Sequence, residues 1–446
     1  MSCNTLQHVS SAEPLGIMTR RGVIHLSLGA ALGAVLGPTL PRVFGAESEK
    51  SAAKPPTAND KSVILIWLKG GPFQHDSFDP KPLGNDKMGL KFGPLSTSAD
   101  GVQLASCMPQ LAQQAHHLTL IRSMKGVEME HTLASYFMQT GYRATGPIQS
   151  PAIGSIVSHE LGPVPMRRAD PDGIPPFISI GSAGFSAGHF GPAHRPYLIW
   201  DPTRGAENLG LPSGITAADH ARRLQWLKSL EEGRTTSKVS REIDSGRAAA
   251  LSFMSSKQRA AFDLAEEPAE IRKRYGKDDK FGQGCLLARR LVAAGARFVQ
   301  VELGWFDQHE NHYPAHEKLM NRLDRSMAAL VEDLHRRELL DNTIVMAVGE
   351  FGRTPRISGK AGRDHFINGF SVALAGGGFK RGYVHGATSA DGQEIKENPV
   401  TVPDLLATLC HDLGINPEKE FTDQFDRPIK LVDHGKVVRD VLRSST

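Results

Sequence analysis

Carboxylates and imidazoles recur directly behind the apolar runs of this chain. After Ser62–Leu68 comes Gly70-Gly71-Pro72-Phe73-Gln74-His75-Asp76-Ser77-Phe78-Asp79-Pro80-Lys81-Pro82. After Phe298–Leu303 comes Gly304-Trp305-Phe306-Asp307-Gln308-His309-Glu310-Asn311-His312, and after Thr343–Val348 comes Gly349-Glu350-Phe351-Gly352-Arg353-Thr354-Pro355. A further loop carries Gly362-Arg363-Asp364-His365-Phe366. Carboxylate oxygens and imidazole nitrogens are the ligands of Zn²⁺, Mn²⁺, Mg²⁺ or Ca²⁺. Candidate metal ligands are therefore Asp76 or Asp79, Asp307, His309 or His312, Glu350 and His365. Arg353 and Arg363 carry planar donors that could neutralise an anion. A lone Asp behind a strand ordinarily shapes a turn, and Arg353 could simply pair with Glu350. The recurrence at several strand ends is what points to a metal or anion site.

A fifth segment, His131-Thr132-Leu133-Ala134-Ser135-Tyr136-Phe137-Met138-Gln139-Thr140-Gly141, reads as a short helix with a polar start. Helix N-termini present free N–H groups and the positive end of a dipole to anions. His131 and Thr132 are the candidate catalytic groups there, with Thr132 as a plain N-cap the competing reading.

These residues need strands to hold them. Ser62–Leu68 is apolar at nearly every position and stops at Gly70-Gly71-Pro72, the pattern of a strand buried on both faces. Similar runs lie at Phe177–Ile180, Phe298–Leu303, Thr343–Val348 and Phe370–Ala375. Helical spacing marks 314–337, opened by Pro314, with a stripe of Leu319, Leu323, Met327, Leu330 and Leu334. A second helix is expected from Val402 to Leu413, before Gly414. Strands alternating with long helices predict an α/β fold with a mostly parallel sheet. In such sheets ligands bind at the carboxyl ends of the strands, where the motifs fall. The stretch 204–280 is charged, helix-prone and without a strand pattern, and reads as a helical insertion near the site.

The first 46 residues predict the compartment. Thr19-Arg20-Arg21-Gly22 precedes an apolar, Gly/Ala-rich run from Leu26 to Leu40, with small residues at Gly45 and Ala46. That order is a signal peptide of the twin-arginine class. The run is too short and too Pro-interrupted for a span, which needs about 20 apolar residues. Export through the twin-arginine machinery is expected, leaving no stable membrane span. Residues 47–60 read as a flexible linker and 61–446 as the folded domain. A net charge of +4 without a basic run argues against a nucleic-acid partner. Four cysteines, Cys3, Cys107, Cys285 and Cys410, lie far apart and form neither a disulfide framework nor a zinc-site spacing.

The motifs GGPFQHDSFDPKP (70–82), DQHENH (307–312), GEFGRTPRI (349–357) and GRDHF (362–366), in this order, resemble the exported bacterial DUF1501 family, grouped with the alkaline phosphatase and sulfatase superfamily. The resemblance covers essentially the whole mature chain. It implies a three-layer α/β sandwich with metal ligands at strand ends and a nucleophile at a helix start. Asp76 or Asp79 then matches the carboxylate behind the first strand. Asp307 with His309 or His312 matches an Asp/His metal pair, Glu350 stands at the Asp of an Asp-His pair, and His365 resembles the late metal-binding histidine. His131-Thr132 lies where sulfatases carry their modified cysteine. Two departures stand out. His131 is neither Cys nor Ser, leaving Thr132 as the nearest hydroxyl, and Phe351 replaces the histidine after the second-metal carboxylate. The resemblance implies a metal-dependent hydrolase of an anionic ester, glycan-linked if the sulfatase analogy holds. The alternative is a binding or assembly protein on the same fold.

Overall fold

The computed structural model describes residues 60–144, 149–162, 173–205, 211, 213–232, 238–422 and 427–444. The twin-arginine segment and all of the linker but its last residue lie outside the described residues.

Nine strands form one sheet: β1 (Ser62–Lys69), β2 (Leu118–Lys125), β3 (Phe177–Ile180), β4 (Tyr197–Ile199), β5 (Phe298–Gly304), β6 (Thr343–Val348), β7 (Asn368–Ala375), β8 (Tyr383–His385) and β9 (Val400–Thr401). Their order is β8-β2-β7-β6-β1-β5-β3-β4, with β9 also pairing β2. Every pairing is parallel except those of β7 with β2 and β6. β1 sits centrally and Val63 to Leu68 are at most 2% exposed, which is why it reads as an unbroken apolar run rather than an alternating one. Burying such Val, Leu and Ile side chains contributes about 1.5–3 kcal/mol each. The β2 run LTLIRSMK lacks that signature, because Thr119, Arg122 and Ser123 interrupt its hydrophobicity.

The main helices are α1 (His131–Thr140), α2 (Ile153–Leu161), α3 (Ala217–Glu231), α4 (Lys238–Ser255), α5 (Lys280–Ala293), α6 (His312–Arg336) and α7 (Val402–Asp412). Phe177 and Ile180 have opposite parity on β3 and point to opposite faces of the sheet. Gly154 of α2 lies on the Phe177 ring, where a Cβ would stand 2.5 Å from it. Gly284 of α5 lies on Val301 and Ile180, where a Cβ would stand 2.9 Å from Val301. Helices therefore cover both faces, and the domain is a three-layer sandwich. One core joins Val63, Leu65, Trp67 and Val372 to α1, α2 and α7. On the other face lie α5 and α6, the latter with its predicted Leu/Met stripe buried.

The described residues of 204–280 contain helices and no strand. Within them α3 belongs to a separate compact unit. It opens on a capping box in which Thr216 accepts from the Asp219 amide and Asp219 accepts from the Thr216 amide.

The antiparallel strand β7 gathers the polar loops. Its first residue, Asn368, pairs with Lys125, the last of β2. The segment entering β7 is thereby brought to the edge where β1, β2, β5 and β6 end. Loops distant in sequence meet there.

Candidate functional site

Register places Lys69 beside Gly304 and Trp67 beside Val348, so the loops behind β1, β5 and β6 emerge side by side. A two-residue ribbon pairs His365 with Arg353 and Phe366 with Gly352. His131 arrives as the first residue of α1.

Asp307 is the focus. Its Oδ1 lies 3.1 Å from His131 Nε2, 2.9 Å from His309 Nε2 and 3.3 Å from His365 Nε2, and Arg353 Nη2 donates to it at 2.6 Å. His309 Nε2 and His365 Nε2 are 3.1 Å apart. The opposite nitrogen of each ring has its own acceptor. His131 Nδ1 donates to Glu350 Oε1 at 2.7 Å, His309 Nδ1 to Asp364 Oδ1 at 2.8 Å, and His365 Nδ1 to the Met129 carbonyl. A neutral imidazole protonated at Nδ1 carries a lone pair at Nε2. These partners assign Nε2 lone pairs to His309 and His365, and three Nε2 atoms crowd one carboxylate oxygen, so a proton on His131 or a cation among them must relieve the contact. Imidazoles held from behind by carboxylates and a carbonyl form the outer shell characteristic of metal-bound histidines. Donor atoms of His131, Asp307 and His365 all lie within 4.8 Å of one another. For bonds of about 2.0–2.2 Å, tetrahedral ligands stand roughly 3.3–3.6 Å apart. The residues present fit a divalent ion.

Burial acts to raise the Asp307 carboxyl, but Arg353 and then His131 outweigh it and hold it below the usual carboxylate range. Burial acts to lower His131, while Glu350 and Asp307 raise it on balance. Burial, reinforced by Arg353 and His131, lowers His365 and keeps it neutral at pH 7. Glu350 is itself anchored, accepting the Gly70 amide at 2.8 Å.

Phe351, which stands where the resemblance led to a histidine, stacks on His365 at 4.4 Å and meets His131 at 5.0 Å. It forms an apolar floor beneath both rings. Trp305 lies 4.9 Å from His131 and is exposed, with Lys69 Nζ 5.3 Å from its ring. Close approach of two loops completes the cluster. A Cβ on Gly362 would stand 1.7 Å from the His309 carbonyl oxygen, so only glycine lets the Asp364-His365 loop lie against 309–310.

Several sequence expectations are corrected. Arg353 is fully buried and its donors are directed inward: Nε to Gly71 O, Nη1 to Arg363 O, Nη2 to Gly70 O and Asp307. It pairs with Asp307 rather than Glu350 and clamps three loops. Arg363 is likewise buried, stacked 3.6 Å over the Phe73 ring and bonded to the Thr354, Pro355 and Met88 carbonyls. Neither faces a cleft as an anion-binding group. The start of α1 carries a carboxylate cap, since Glu130 accepts the Leu133 amide at 2.9 Å, which opposes an anion there. Thr132 is not the cap and is exposed.

The structure also resolves the paired alternatives. His309 joins Asp307, whereas His312 lies on α6 with His316 and Asp76. Asp79 joins neither group. Thr388 donates to it at 2.5 Å, His75 Nδ1 stands 3.3 Å away and Lys81 Nζ 3.2 Å away, with Arg122 at 3.6 Å. Burial acts to raise Asp79, but His75, Lys81 and Arg122 together hold it below the ordinary value of 3.8. A carboxyl depressed in the folded chain contributes stability that is present above its unfolded value and lost as pH falls through the folded one. Asp79→Asn is expected to cost about 1–3 kcal/mol at pH 7. In urea melts the gap to wild type should narrow as pH falls below the ordinary carboxylate value of 3.8; a pH-independent gap would contradict this. Sequence reasoning misses His316 and Asp364. The available signal for His316 is its position one helical turn after His312.

Residues 60–442 match the pattern of the family described as "Protein of unknown function (DUF1501)". The chain belongs to the DUF1501 family. No curated protein matches it. Solved structures similar to this DUF1501 chain include the PsFucS1 sulfatase from Pseudoalteromonas sp., 12% identical with a TM-score of 0.38, covering 85% of this chain and 73% of that one. Another is the TAB5 alkaline phosphatase with magnesium bound, 10% identical with a TM-score of 0.37, covering 80% and 99%. A third is the phosphonate monoester hydrolase from Silicibacter pomeroyi, 9% identical with a TM-score of 0.34, covering 87% and 77%. At these scores no residue role passes from those proteins to this chain. No helix among the described residues is long and apolar enough to cross a membrane.

Proposed function

We propose that this DUF1501 chain is an exported, metal-dependent hydrolase of phosphate or sulfate esters. The observation that carries the proposal is the convergence of three imidazole Nε2 atoms on Asp307 Oδ1 at the carboxyl edge of the sheet. His131, Asp307 and His365 hold the ion, and their nitrogen content favours Zn²⁺ over Mn²⁺, Mg²⁺ or Ca²⁺. When bound, such an ion supplies Lewis-acid polarisation of an ester oxygen. Glu350 fixes the tautomer and angle of His131, and Phe351 excludes water beneath. His309 is the outermost imidazole, with Asp364 behind it to stabilise a proton gained at Nε2. It serves as general base toward water, because Thr132 is exposed and beside the Glu130 carboxylate. Trp305 offers an exposed face to a sugar or aryl leaving group, and Lys69 a cation to the ester's charge. The Arg20-Arg21 segment supports export through the twin-arginine machinery.

The second reading, binding without chemistry, draws on the lack of an inward hydroxyl at Thr132. The two separate in one experiment. Purified protein is assayed with aryl phosphate and aryl sulfate monoesters, before and after chelation and metal return. Turnover that is lost and then restored, with His309→Ala reducing it about 10²–10⁴-fold while metal stays bound, supports the hydrolase. Stoichiometric metal without turnover of either ester class overturns it.

A further inference from the structure

A second cluster lies apart from the Asp307 focus. Asp76 belongs to the single turn Gln74–Asp76 behind β1, and His312 and His316 stand one turn apart on α6. All three are buried, at 0%, 1% and 0% exposure. Their donor atoms all lie within 4.8 Å of one another. The two rings stack at 4.4 Å, and Phe73 packs edge-on against His312.

Both carboxylate oxygens of Asp76 and all four ring nitrogens of the histidines lack a hydrogen-bond partner. The Phe92 amide and Tyr313 hydroxyl act on Asp76, and the Asp76 backbone on His316, without reaching full hydrogen-bond geometry. Each buried polar group left unpaired costs about 1–3 kcal/mol, and folded proteins hold few of them per hundred residues. Six on three touching side chains require a common partner. Arg363 does not bond to Asp76: its terminal nitrogens go to Thr354, Pro355, Met88 and Tyr313, and its Nε has no partner.

We infer that Asp76, His312 and His316 form a second, sealed cation site, selective for Zn²⁺ or a similar nitrogen-seeking divalent metal. Two histidines at i, i+4 on one helix face with a carboxylate from another segment are a zinc donor set. Mg²⁺ and Ca²⁺, which prefer oxygen ligands, fit it poorly. Its role is structural: it ties the turn after β1 to the first turns of α6, the helix that continues the Asp307–His309 segment. The Arg363 charge acts on Asp76 through space without bonding to it.

The inference stands independently of the hydrolase reading, and the test keeps the two apart. His365→Gln disables the Asp307 centre without touching the Asp307–Arg353 pair. The full chain carrying it is refolded with Zn²⁺, dialysed, and assayed for zinc content and thermal midpoint. About one equivalent of zinc should remain, and the midpoint should rise relative to protein refolded with chelator. Adding His316→Gln should remove that equivalent and the rise. Should that double variant not fold, Co²⁺ refolded into the His365→Gln chain should give the visible absorption of a tetrahedral nitrogen–oxygen site. A folded His365→Gln chain that retains no zinc and has the same midpoint with and without it overturns the inference. So does zinc retention unaffected by His316→Gln.

Discussion

Asp307→Asn is expected to lose its metal and its turnover together. Asn keeps an oxygen of the same shape but removes the charge on which three imidazoles and Arg353 converge. Loss of an outer-shell partner alone weakens metal sites about 10–100-fold, so loss of the central carboxylate should exceed about 100-fold in affinity. Turnover should fall at least as far. Metal content after dialysis and initial rates on an aryl ester read both. Leaving Arg353 unpaired also weakens the fold, so circular dichroism must accompany the assay. His365→Gln, which spares that pair, should lose metal with a smaller change in stability. Full metal retention with wild-type rates in Asp307→Asn would refute the assignment of the centre.

The second large effect is on stability. Arg353 is fully buried and ties the Gly70, Gly71 and Arg363 carbonyls to Asp307. Removing one partner of such a pair leaves a carboxylate and three carbonyls without donors. Arg353→Met is expected to destabilise the protein by about 3–5 kcal/mol, seen as a lower urea midpoint. Exposure of Asp307 to water on one side places the result toward the lower end. Arg353→Lys should recover only part, because one ammonium cannot reproduce a planar fork reaching acceptors on several sides. A midpoint equal to wild type in Arg353→Met would show that the loops hold themselves together. The measurement also separates the corrected role of Arg353 from the anion-binding one, which predicts a kinetic loss without a stability loss.

The family's motifs cluster in space for a reason the topology supplies. β7 runs against its neighbours, so the Arg363–His365 loop enters the sheet at the edge where β1, β5 and β6 leave it. Gly362 lets that loop approach within contact of the His309 backbone. Both features serve the same end: four segments supply polar side chains to one small volume, and the buried guanidinium of Arg353 fixes their spacing.

Much of this architecture is legible in the amino-acid order. Unbroken apolar runs at 62–68, 298–303 and 343–348 mark strands buried on both faces, since only a core strand has no polar side to show water. The Leu/Met stripe of 319–334 marks a helix by its period. Glycine stops place polar loops at strand ends, and those loops carry the candidate ligands. What one dimension could not decide was which imidazole meets which carboxylate. His309 and His312 are three residues apart, but Asn311 turns left-handed with φ 45° and α6 begins at His312. The helix carries His312 toward Asp76 and leaves His309 on the loop with Asp307. Asp76 and Asp79 likewise part company, because His75, Lys81 and Arg122 hold Asp79 in a charged knot of its own. The inward turn of Arg353 and Arg363 was equally hidden, since a guanidinium can neutralise an anion in a cleft or satisfy backbone carbonyls in the interior. Residue type and local order determined the strands, the helices and the stock of candidate ligands. Long-range packing alone decided their partners, because burial and hydrogen-bond geometry depend on segments that the sequence keeps far apart.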